Sequence, residues 1–306
     1  MQSEADIKIY YSLEKALLEP ENVRSLDLHY SDLEEFPKDI FKLTNLEELY
    51  ILNNRLKYIP EKIGTLKKLK KLDISGNQLI TLPSSIGELE ELTLLVASWN
   101  KLEEIPSSIG NLKKLEKLGL SNNRLKEIPD SIGNLINLKE LIISENELLE
   151  LPESIGNLSN LEKLRIGDNH LSNLPESIGN LINLNKLEAQ ENNLINIPSS
   201  IGNLKNLEKI RLYKNLLATL PDSIGELTNL KKLLLYENEL KELPESIGNL
   251  SSLEELELGF NYLVKLPDSI KNLNKLKYIS LTRNEFPEEE KNKINELLPN
   301  TRIDWY

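Results

Sequence analysis

Prolines recur at a fixed interval of 23 residues along nearly the whole chain. Eleven of the 14 prolines follow this interval, in the series Pro37 to Pro267. An asparagine lies six residues before each proline in the series Asn54 to Asn261, which Asn284 extends, and a glycine lies four residues after each proline in the series Gly64 to Gly248. Because the period runs through the chain, its 306 residues predict a stack of similar units rather than ordinary globular domains.

The repeated unit reads LxxLxLxxNxLxxLPxxIGxLxx and occurs twelve times between Val23 and Leu298. A spacing of 20 to 29 residues, combined with an LxxLxL run followed by asparagine, is specific to leucine-rich repeats. The predicted fold class is therefore an α/β solenoid, a leucine-rich-repeat horseshoe. It has a parallel sheet on its concave face, short helical turns on its convex side and helical caps at both ends.

Each position of the unit has a physical role. Leu118 and Leu120 alternate in the manner of a short strand. Asn123 follows where the chain leaves the strand, and an interior amide there would satisfy backbone groups of neighbouring turns. Pro129 suits the first position of a short helical turn, because its φ is preset and its missing donor has no helical acceptor. Gly133 is expected to end that turn.

The ends of the stack need covers, because repeats of this kind are stable only when they pack on neighbours. Asp6–Leu18 carries an irregular helical pattern that stops before Pro20. At the other end, Pro287 opens a helix whose acidic first turn complements the helix dipole, and Ile294 faces the last core layer. The predicted organisation is an N-terminal helical cap over 1–22, leucine-rich repeats over 23–286, and a C-terminal helical cap over 287–306 that completes the twelfth repeat.

Composition excludes several classes of function. The net charge of −12 disfavours general binding to nucleic acids or anionic membranes. With no cysteine and two histidines, His29 and His170, the chain lacks thiol nucleophiles and multi-histidine metal cages. The single, widely spaced glycines form no phosphate-binding loop, and no apolar run reaches the roughly 18 residues of a membrane span. We predict no enzyme activity, no catalytic or metal-binding residues, no cofactor and no membrane insertion.

Both ends of the chain resemble those of a known family. Ser12–Leu18, followed by Val23–Leu28, resembles the start of the leptospiral leucine-rich-repeat family, and Glu288–Ile303 resembles its end. The plain repeat is similar to the 23-residue type of plant and animal Ras-binding scaffolds. The leptospiral resemblance implies bacterial proteins, secreted or at the cell surface, that bind host proteins through a non-catalytic concave face. It implies no fixed contact residues.

A secretion signal is usual in that family. Met1–Lys8 does not show a basic start followed by an apolar block. Either the chain is trimmed before Met1, or this protein stays in the cytoplasm.

Information about partners is expected at the strand positions that the core does not use. These positions lie two, four and six residues before each repeat asparagine and face outward on the concave sheet. A first group, apolar, contains Leu94, Val96, Trp99 and Ile142. Exposed tryptophan and aliphatic side chains are typical binding anchors. Alternatively, Val96 and Ile142 merely suit a strand, and Trp99 folds over a neighbouring repeat.

A second, basic group concentrates positive charge on four adjacent repeats. Its members are Lys163, Arg165, Lys186, Lys209, Arg211 and Lys232. Such a stripe could steer an acidic partner. Glu188 lies inside it, and Asp168, Glu191 and Glu237 flank it, so mutual neutralisation is the interpretation that we favour slightly.

A third, aromatic group lies towards the C-terminal end. Its members are Tyr213, Tyr236, Phe260 and Tyr262, and Leu234 and Arg211 lie among them. Tyrosine and arginine are enriched in interfaces, so the second and third groups could form a single site. Stacking that only supports the sheet is the competing interpretation.

The leading functional prediction is a monomeric protein-recognition module that holds a protein partner on its concave face, with a possible role in adhesion or virulence. One alternative is a cytoplasmic scaffold of the Ras-binding kind. Another is a binder of carbohydrate or of a different small ligand, which would use the Trp99 and tyrosine surfaces.

Overall fold

The computed structural model describes residues 7–306, and the chain divides into two compact units at the bond between Glu147 and Leu148. Each unit contains one short strand per repeat, and the strands run parallel. A short 3₁₀ helix follows most of these strands before the next strand begins. We describe the two units separately, as the N-terminal unit and the C-terminal unit.

The N-terminal unit contains seven strands and one α-helix in its described part. The strands are β1 (Ile9–Tyr10), β2 (Ser25–Asp27), β3 (Glu48–Tyr50), β4 (Lys71–Asp73), β5 (Leu94–Val96), β6 (Lys117–Gly119) and β7 (Glu140–Ile142). The α-helix is α1 (Leu13–Ala16). The 3₁₀ helices are Pro20–Asn22, Lys38–Lys42, Glu61–Thr65, Ser84–Glu88, Ser107–Asn111 and Asp130–Asn134.

The C-terminal unit repeats this arrangement. Its strands are β8 (Lys163–Arg165), β9 (Lys186–Glu188), β10 (Lys209–Arg211), β11 (Lys232–Leu234), β12 (Glu255–Glu257), β13 (Tyr278–Ser280) and β14 (Arg302–Asp304). The α-helix is α2 (Glu288–Leu297). The 3₁₀ helices are Glu153–Asn157, Glu176–Asn180, Ser199–Asn203, Asp222–Glu226, Glu245–Asn249 and Asp268–Asn272.

The leucines of the repeat form the core of each unit. Leu95, Leu118 and Leu141 are direct partners on adjacent strands, and all three are fully buried. Side chains alternate between the two faces of a strand, so the residues on either side of these leucines belong to the opposite, accessible face. The predicted strand pattern, and with it the leucine-rich-repeat solenoid fold class, is confirmed.

The asparagines connect successive repeats through their side-chain amides. Asn123 Nδ2 donates to the carbonyl oxygens of Leu120 at 2.9 Å and of Ala97 in the preceding repeat at 3.1 Å. Its Oδ1 accepts from the Leu102 amide at 3.0 Å. One side chain thus satisfies backbone groups that no strand or helix pairs. The predicted role of the asparagines is confirmed.

The predicted positions of proline and glycine relative to the helical turn were both wrong. Pro129 lies just before the 3₁₀ helix Asp130–Asn134, with ψ at 148°, and its carbonyl accepts from the Ile132 amide at 2.9 Å. Gly133 lies inside the helix rather than after it. Proline therefore ends the extended segment, because its ring suits the polyproline conformation as well as a helix start.

Close packing of neighbouring helical turns explains the repeated glycine better than helix termination does. At Gly179, a Cβ atom would lie 2.5 Å from the carbonyl oxygen of Ser200 and 2.6 Å from its Cβ. Both distances are far inside van der Waals contact. The position is therefore restricted to glycine by the next repeat, and not by its own backbone conformation.

The N-terminal segment differs from the irregular helical pattern predicted over Asp6–Leu18. Residues 1–6 lie outside the described part of the chain. Beyond them, Ile9–Tyr10 is a strand that pairs with β2, and α1 begins only after Ser12, whose Oγ accepts from the Lys15 amide at 3.4 Å. The prediction was too long because the free edge of β2 provides backbone hydrogen bonds that keep this segment extended.

The C-terminal helix follows Pro287 as the sequence predicts, and Ile294 within this helix is fully buried. The repeat pattern does not predict β14, which pairs with β13 through Ile303 and Ile279. This strand lies beyond the last asparagine, where the repeat pattern no longer applies. The division into two caps and a repeat region stays a prediction.

Candidate functional site

The accessible face of the sheet in each unit is built from the strand residues that flank the buried leucines. In most strands both flanking residues are partly exposed. The in-register pairing places equivalent residues side by side: Lys163 beside Lys186, and Lys209 beside Lys232. The columns predicted from the 23-residue period are therefore real columns of neighbouring side chains within each unit.

One residue of each repeat, directly before the repeat asparagine, has a left-handed backbone. Trp99 has φ at 57° and Phe260 has φ at 56°. This conformation is uncommon for bulky residues, and here the amide of Trp99 is fixed by donating to the carbonyl of Ser121 at 2.8 Å. Trp99 and Phe260 thus lie where the chain leaves the strand, at the edge of the sheet face.

The predicted apolar group lies within the N-terminal unit. Leu94 and Val96 are partly exposed on β5, and Ile142 is partly exposed on β7. Val96 covers the glycine of the intervening strand, because its Cγ1 lies 3.0 Å from where a Cβ of Gly119 would be. Trp99 is 65% exposed, which does not fit the alternative that it folds over a neighbouring repeat.

The predicted basic group surrounds one buried carboxylate in the C-terminal unit. Glu188 is 5% exposed, and its carboxylate contacts Lys186 Nζ at 2.8 Å, Arg165 Nε at 3.1 Å and the guanidinium of Arg211. The expected neutralisation by Glu188 is thus present. The flanking Glu191 pairs instead with Lys214, at 3.3 Å.

Two lysines of the basic group have different surroundings. Lys232 Nζ lies 2.5 Å from a carboxylate oxygen of Glu255 on the next strand. Lys209 has no carboxylate within salt-bridge distance in the part of the chain that the structure describes. Burial lowers the pKa of Lys209, and the neighbouring cations Arg211 and Lys232 lower it further. Lys209 is therefore a cation surrounded mainly by other cations.

Only part of the predicted aromatic group comes together. Tyr213 and Tyr236 stack with ring centroids 4.4 Å apart and planes 8° apart. Burial, followed by the proximity of Tyr213, raises the pKa of the Tyr236 phenol. Phe260 and Tyr262 are 54% and 53% exposed, and no ring contact within residues 7–306 joins them to the stacked pair.

Leu234, which was predicted to be accessible among the aromatic residues, is 9% exposed, so it is buried although its strand position is on the accessible face. It is thus the one predicted contact residue that the structure buries. Participation of the other predicted residues in binding stays a prediction.

Two acidic residues on β12 were missing from the predicted site. Glu255 and Glu257 lie on the accessible face beside Lys232 and Leu234. The hydrogen bond from Lys232 lowers the pKa of Glu255, whereas burial and the neighbouring Glu255 raise the pKa of Glu257. The columns of the repeat contained the signal, since both residues occupy the same two positions as Lys232 and Leu234.

The two histidines belong to different units. His29 Nδ1 lies 2.7 Å from Asp27 Oδ1, in the N-terminal unit, and His170 belongs to the C-terminal unit. Across residues 7–306, no three histidine or acidic side chains are grouped so that they could hold a metal ion. Each helix in the same part of the chain is too short or too polar to cross a lipid bilayer.

Several solved structures are similar to this chain. A leucine-rich-repeat protein of Leptospira interrogans is 30% identical, with a TM-score of 0.51, over 97% of this chain and 100% of that one. An internalin from Listeria monocytogenes is 23% identical, with a TM-score of 0.82, over 96% of this chain and 87% of that one.

A receptor kinase ectodomain is a further structural relative. The ectodomain of the Arabidopsis receptor kinase HAESA, solved in complex with an IDA peptide hormone, is 32% identical, with a TM-score of 0.75. The match covers 91% of this chain and 49% of the ectodomain, so the chain spans about half of that relative. No curated protein matches the chain significantly.

Family models cover most of the repeats. A model described as a leucine-rich repeat region matches residues 17–128, 107–194 and 128–233, and a second leucine-rich repeat model matches residues 228–286. The matched residues include the strands, the asparagines and the helical turns of nearly every repeat. The chain therefore belongs to the leucine-rich repeat family.

Proposed function

We propose that this chain is a non-catalytic recognition module that binds a protein partner on the accessible, concave face of its sheet. One observation carries the proposal: the interior of the repeats is constant, while the accessible columns change from strand to strand. Equivalent positions on β5, β6 and β7 carry Val96, Gly119 and Ile142, yet the leucines beneath them do not change. A surface that changes from repeat to repeat above a constant core is typical of a binding surface on a solenoid.

The comparisons support this class of function. The leucine-rich-repeat ectodomain of HAESA binds a peptide hormone in its solved complex. Solenoids of this kind present an extended surface, which suits a protein or a peptide better than a small molecule. A glycan array that gives several strong hits, with no protein captured, would favour the carbohydrate-binding alternative instead.

We also propose that the protein is secreted or displayed at the bacterial surface, acts as a monomer, and binds a host protein there in adhesion or virulence. The resemblance to the Leptospira interrogans protein along the whole chain supports this view. Fractionation of cells that express the natural gene tests the proposal, with the protein expected in the medium or at the surface. Recovery only from the cytosol would favour an internal scaffold.

A capture experiment with host extracellular proteins tests partner binding. We expect the combined variant with Trp99, Tyr213 and Tyr236 changed to alanine to stay folded and to bind the captured partner at least about tenfold more weakly, because aromatic anchors dominate interface energies. The matched control changes Tyr58, Ile182 and Ile195, which are exposed apolar residues outside the strands, to alanine. If only the control variant loses binding, the partner binds outside the sheet face.

Two variants with fewer substitutions then identify which unit binds the partner. Trp99→Ala alters only the N-terminal unit, whereas the double variant of Tyr213 and Tyr236 alters only the C-terminal unit. We expect the double variant to account for most of the loss, since stacked tyrosines present a large, rigid surface at low entropic cost.

A further inference from the structure

The part of the accessible face that β8 to β11 form is strongly basic, although the chain as a whole carries a net charge of −12. Strands β8 to β11 contribute six cations and a single carboxylate, Glu188. We call the six cations the basic face; they are Lys163, Arg165, Lys186, Lys209, Arg211 and Lys232. A local excess of positive charge on an acidic molecule attracts acidic partners selectively.

The carboxylate of Glu188 lies beneath these cations and does not cover them. Its side chain is 7% exposed, whereas the side chains of Arg165 and Arg211, which contact it, are 33% and 34% exposed. Glu188 therefore holds the two guanidinium groups in position from below. A partner that approaches the face meets arginines that are already ordered, which reduces the entropic cost of binding.

Lys209 lies at the centre of the basic face without an acidic partner of its own. Its direct strand neighbours are Lys186 and Lys232, and Arg211 follows on the same strand. Each of these three residues pairs with a carboxylate, Glu188 or Glu255. An anion placed above Lys209 would relieve the repulsion among the four cations without displacing an existing ion pair.

We propose that the basic face binds an acidic, extended segment of the protein partner, with carboxylates of that segment above Lys209. The proposal rests on the proposed function and specifies the chemistry of the partner. The four lysines that start β8 to β11 span about 14 Å, which an extended segment of four or five residues crosses. A long polyanion such as nucleic acid fits less well, because the rest of this chain would repel it.

The stacked tyrosines border the same surface. Tyr213 lies two residues after Arg211, about 7 Å further along the chain. The pair of rings offers an apolar surface next to the cations. The segment is therefore expected to carry an aromatic or aliphatic side chain beside its acidic residues.

Defined peptides test the proposal directly. The probe is a fluorescein-labelled ten-residue peptide of alternating glutamate and glycine, with both ends blocked so that no terminal charge contributes. Control probes replace glutamate by glutamine or by lysine. We expect only the glutamate probe to raise the fluorescence anisotropy, with an affinity that falls as salt is added because the interaction is electrostatic.

Two variants of the protein complete the test. Lys209→Met keeps the apolar stem, so that the fold is preserved, and removes the charge; we expect about fivefold weaker binding of the glutamate probe. Lys205→Met is the matched control, because Lys205 is exposed outside the strands and pairs with Glu226 at 2.7 Å. Binding of the glutamate probe should be unchanged in this control.

Several outcomes would overturn the proposal. The proposal fails if the glutamine probe binds as tightly as the glutamate probe, or if Lys209→Met binds as well as the unaltered protein. It also fails if a short DNA duplex binds more tightly than the glutamate peptide. If the peptides do not bind, but the double tyrosine variant still loses the captured protein partner, then the acidic-segment proposal is wrong and the proposed function stands.

Discussion

The side chain of a repeat asparagine forms hydrogen bonds with several backbone groups at once. Asn123 uses one amide to bond four backbone groups in two successive repeats. Among the described residues the Leu102 amide has no other partner, whereas the three carbonyl oxygens each accept a second hydrogen bond. Stability at the residue scale therefore depends on side-chain amides as much as on leucines.

Replacing Asn123 by alanine should lower the free energy of unfolding by roughly 1 to 3 kcal/mol, because the Leu102 amide would lose its partner and three carbonyl oxygens would each lose one of two. Urea denaturation followed by circular dichroism measures the change. Asn111→Ala is the matched control, since Asn111 is an exposed residue of a helical turn. An unchanged denaturation midpoint for the Asn123 variant would contradict the role assigned to the asparagines.

Glu257 should make stability depend on pH in an unusual direction. Burial and Glu255 raise its pKa above the ordinary value of 4.5. Such a carboxyl contributes stability that is fully present below the unfolded pKa and lost as the pH rises through the folded pKa. Glu257→Gln should therefore be more stable than the natural protein at neutral pH, by less than about 1 kcal/mol after allowance for solvent screening, and equally stable near pH ~4.

Denaturation midpoints at the two pH values check this expectation, with Glu254→Gln as the control. The hydrogen bond from Lys277, at 2.6 Å, lowers the pKa of the exposed Glu254. The Glu254 carboxylate contributes stability above its ordinary pKa and loses this contribution as the pH falls through the lowered pKa. Glu254→Gln should therefore be less stable than the natural protein at neutral pH, the opposite of Glu257→Gln. The same sign in both variants would refute the assignment for Glu257.

At the scale of elements, the strands and the 3₁₀ helices pack in different ways. The strands are joined by backbone hydrogen bonds in register, and their leucines fill the core. The helical turns approach each other closely because glycine has no side chain. At Gly179, the carbonyl oxygen of Ser200 occupies the space that a Cβ atom would need. A repeat thus tolerates changes on its accessible face far better than changes between its helical turns.

Gly179→Ala should destabilise the C-terminal unit by about 1 to 3 kcal/mol, because a backbone carbonyl cannot move aside as a flexible side chain can. Thermal unfolding measures the loss. Asn180→Ala, at the next and exposed position of the same helical turn, should have little effect. If both variants unfold at the same temperature as the natural protein, the turns are more loosely packed than the distances indicate.

At the scale of the whole molecule, the sequence predicts the structural features that recur every 23 residues. Strand positions, buried leucines and the bonds of Asn123 follow from it, because each repeat meets the same neighbours. Features outside the period were not predictable in this way. The strands Ile9–Tyr10 and Arg302–Asp304 form because the sheet edges offer free hydrogen bonds, which no repeated residue signals.

The candidate site was predictable in part for the same reason. The period placed Tyr213 beside Tyr236, and the two rings do stack. It did not reveal that Glu188 is buried, since this depends on three cations from adjacent strands that surround one carboxylate. The period does distinguish Phe260 from these tyrosines, because Phe260 lies one residue before its asparagine and each of the two tyrosines lies two before; the sequence alone did not show that the position directly before the asparagine has a left-handed backbone.

The C-terminal helix should protect the last repeats more than the earlier ones. Ile294 is fully buried, and α2 packs on the 3₁₀ helix Asp268–Asn272. Ile294→Ala leaves a cavity that costs roughly 2 to 4 kcal/mol. Because repeats contact only their neighbours, the loss should appear first as opening of the end of the stack.

Hydrogen exchange measures this effect along the C-terminal unit. In Ile294→Ala, amides of β12, β13 and β14 should lose more protection than those of β8 and β9, because a stack of repeats opens from its damaged end before its interior. Asn295→Ala, an exposed change on the same helix, should leave the profile unaltered. A uniform loss of protection from β8 to β14 would show instead that the unit unfolds as a single cooperative block, and that α2 stabilises all of its repeats equally.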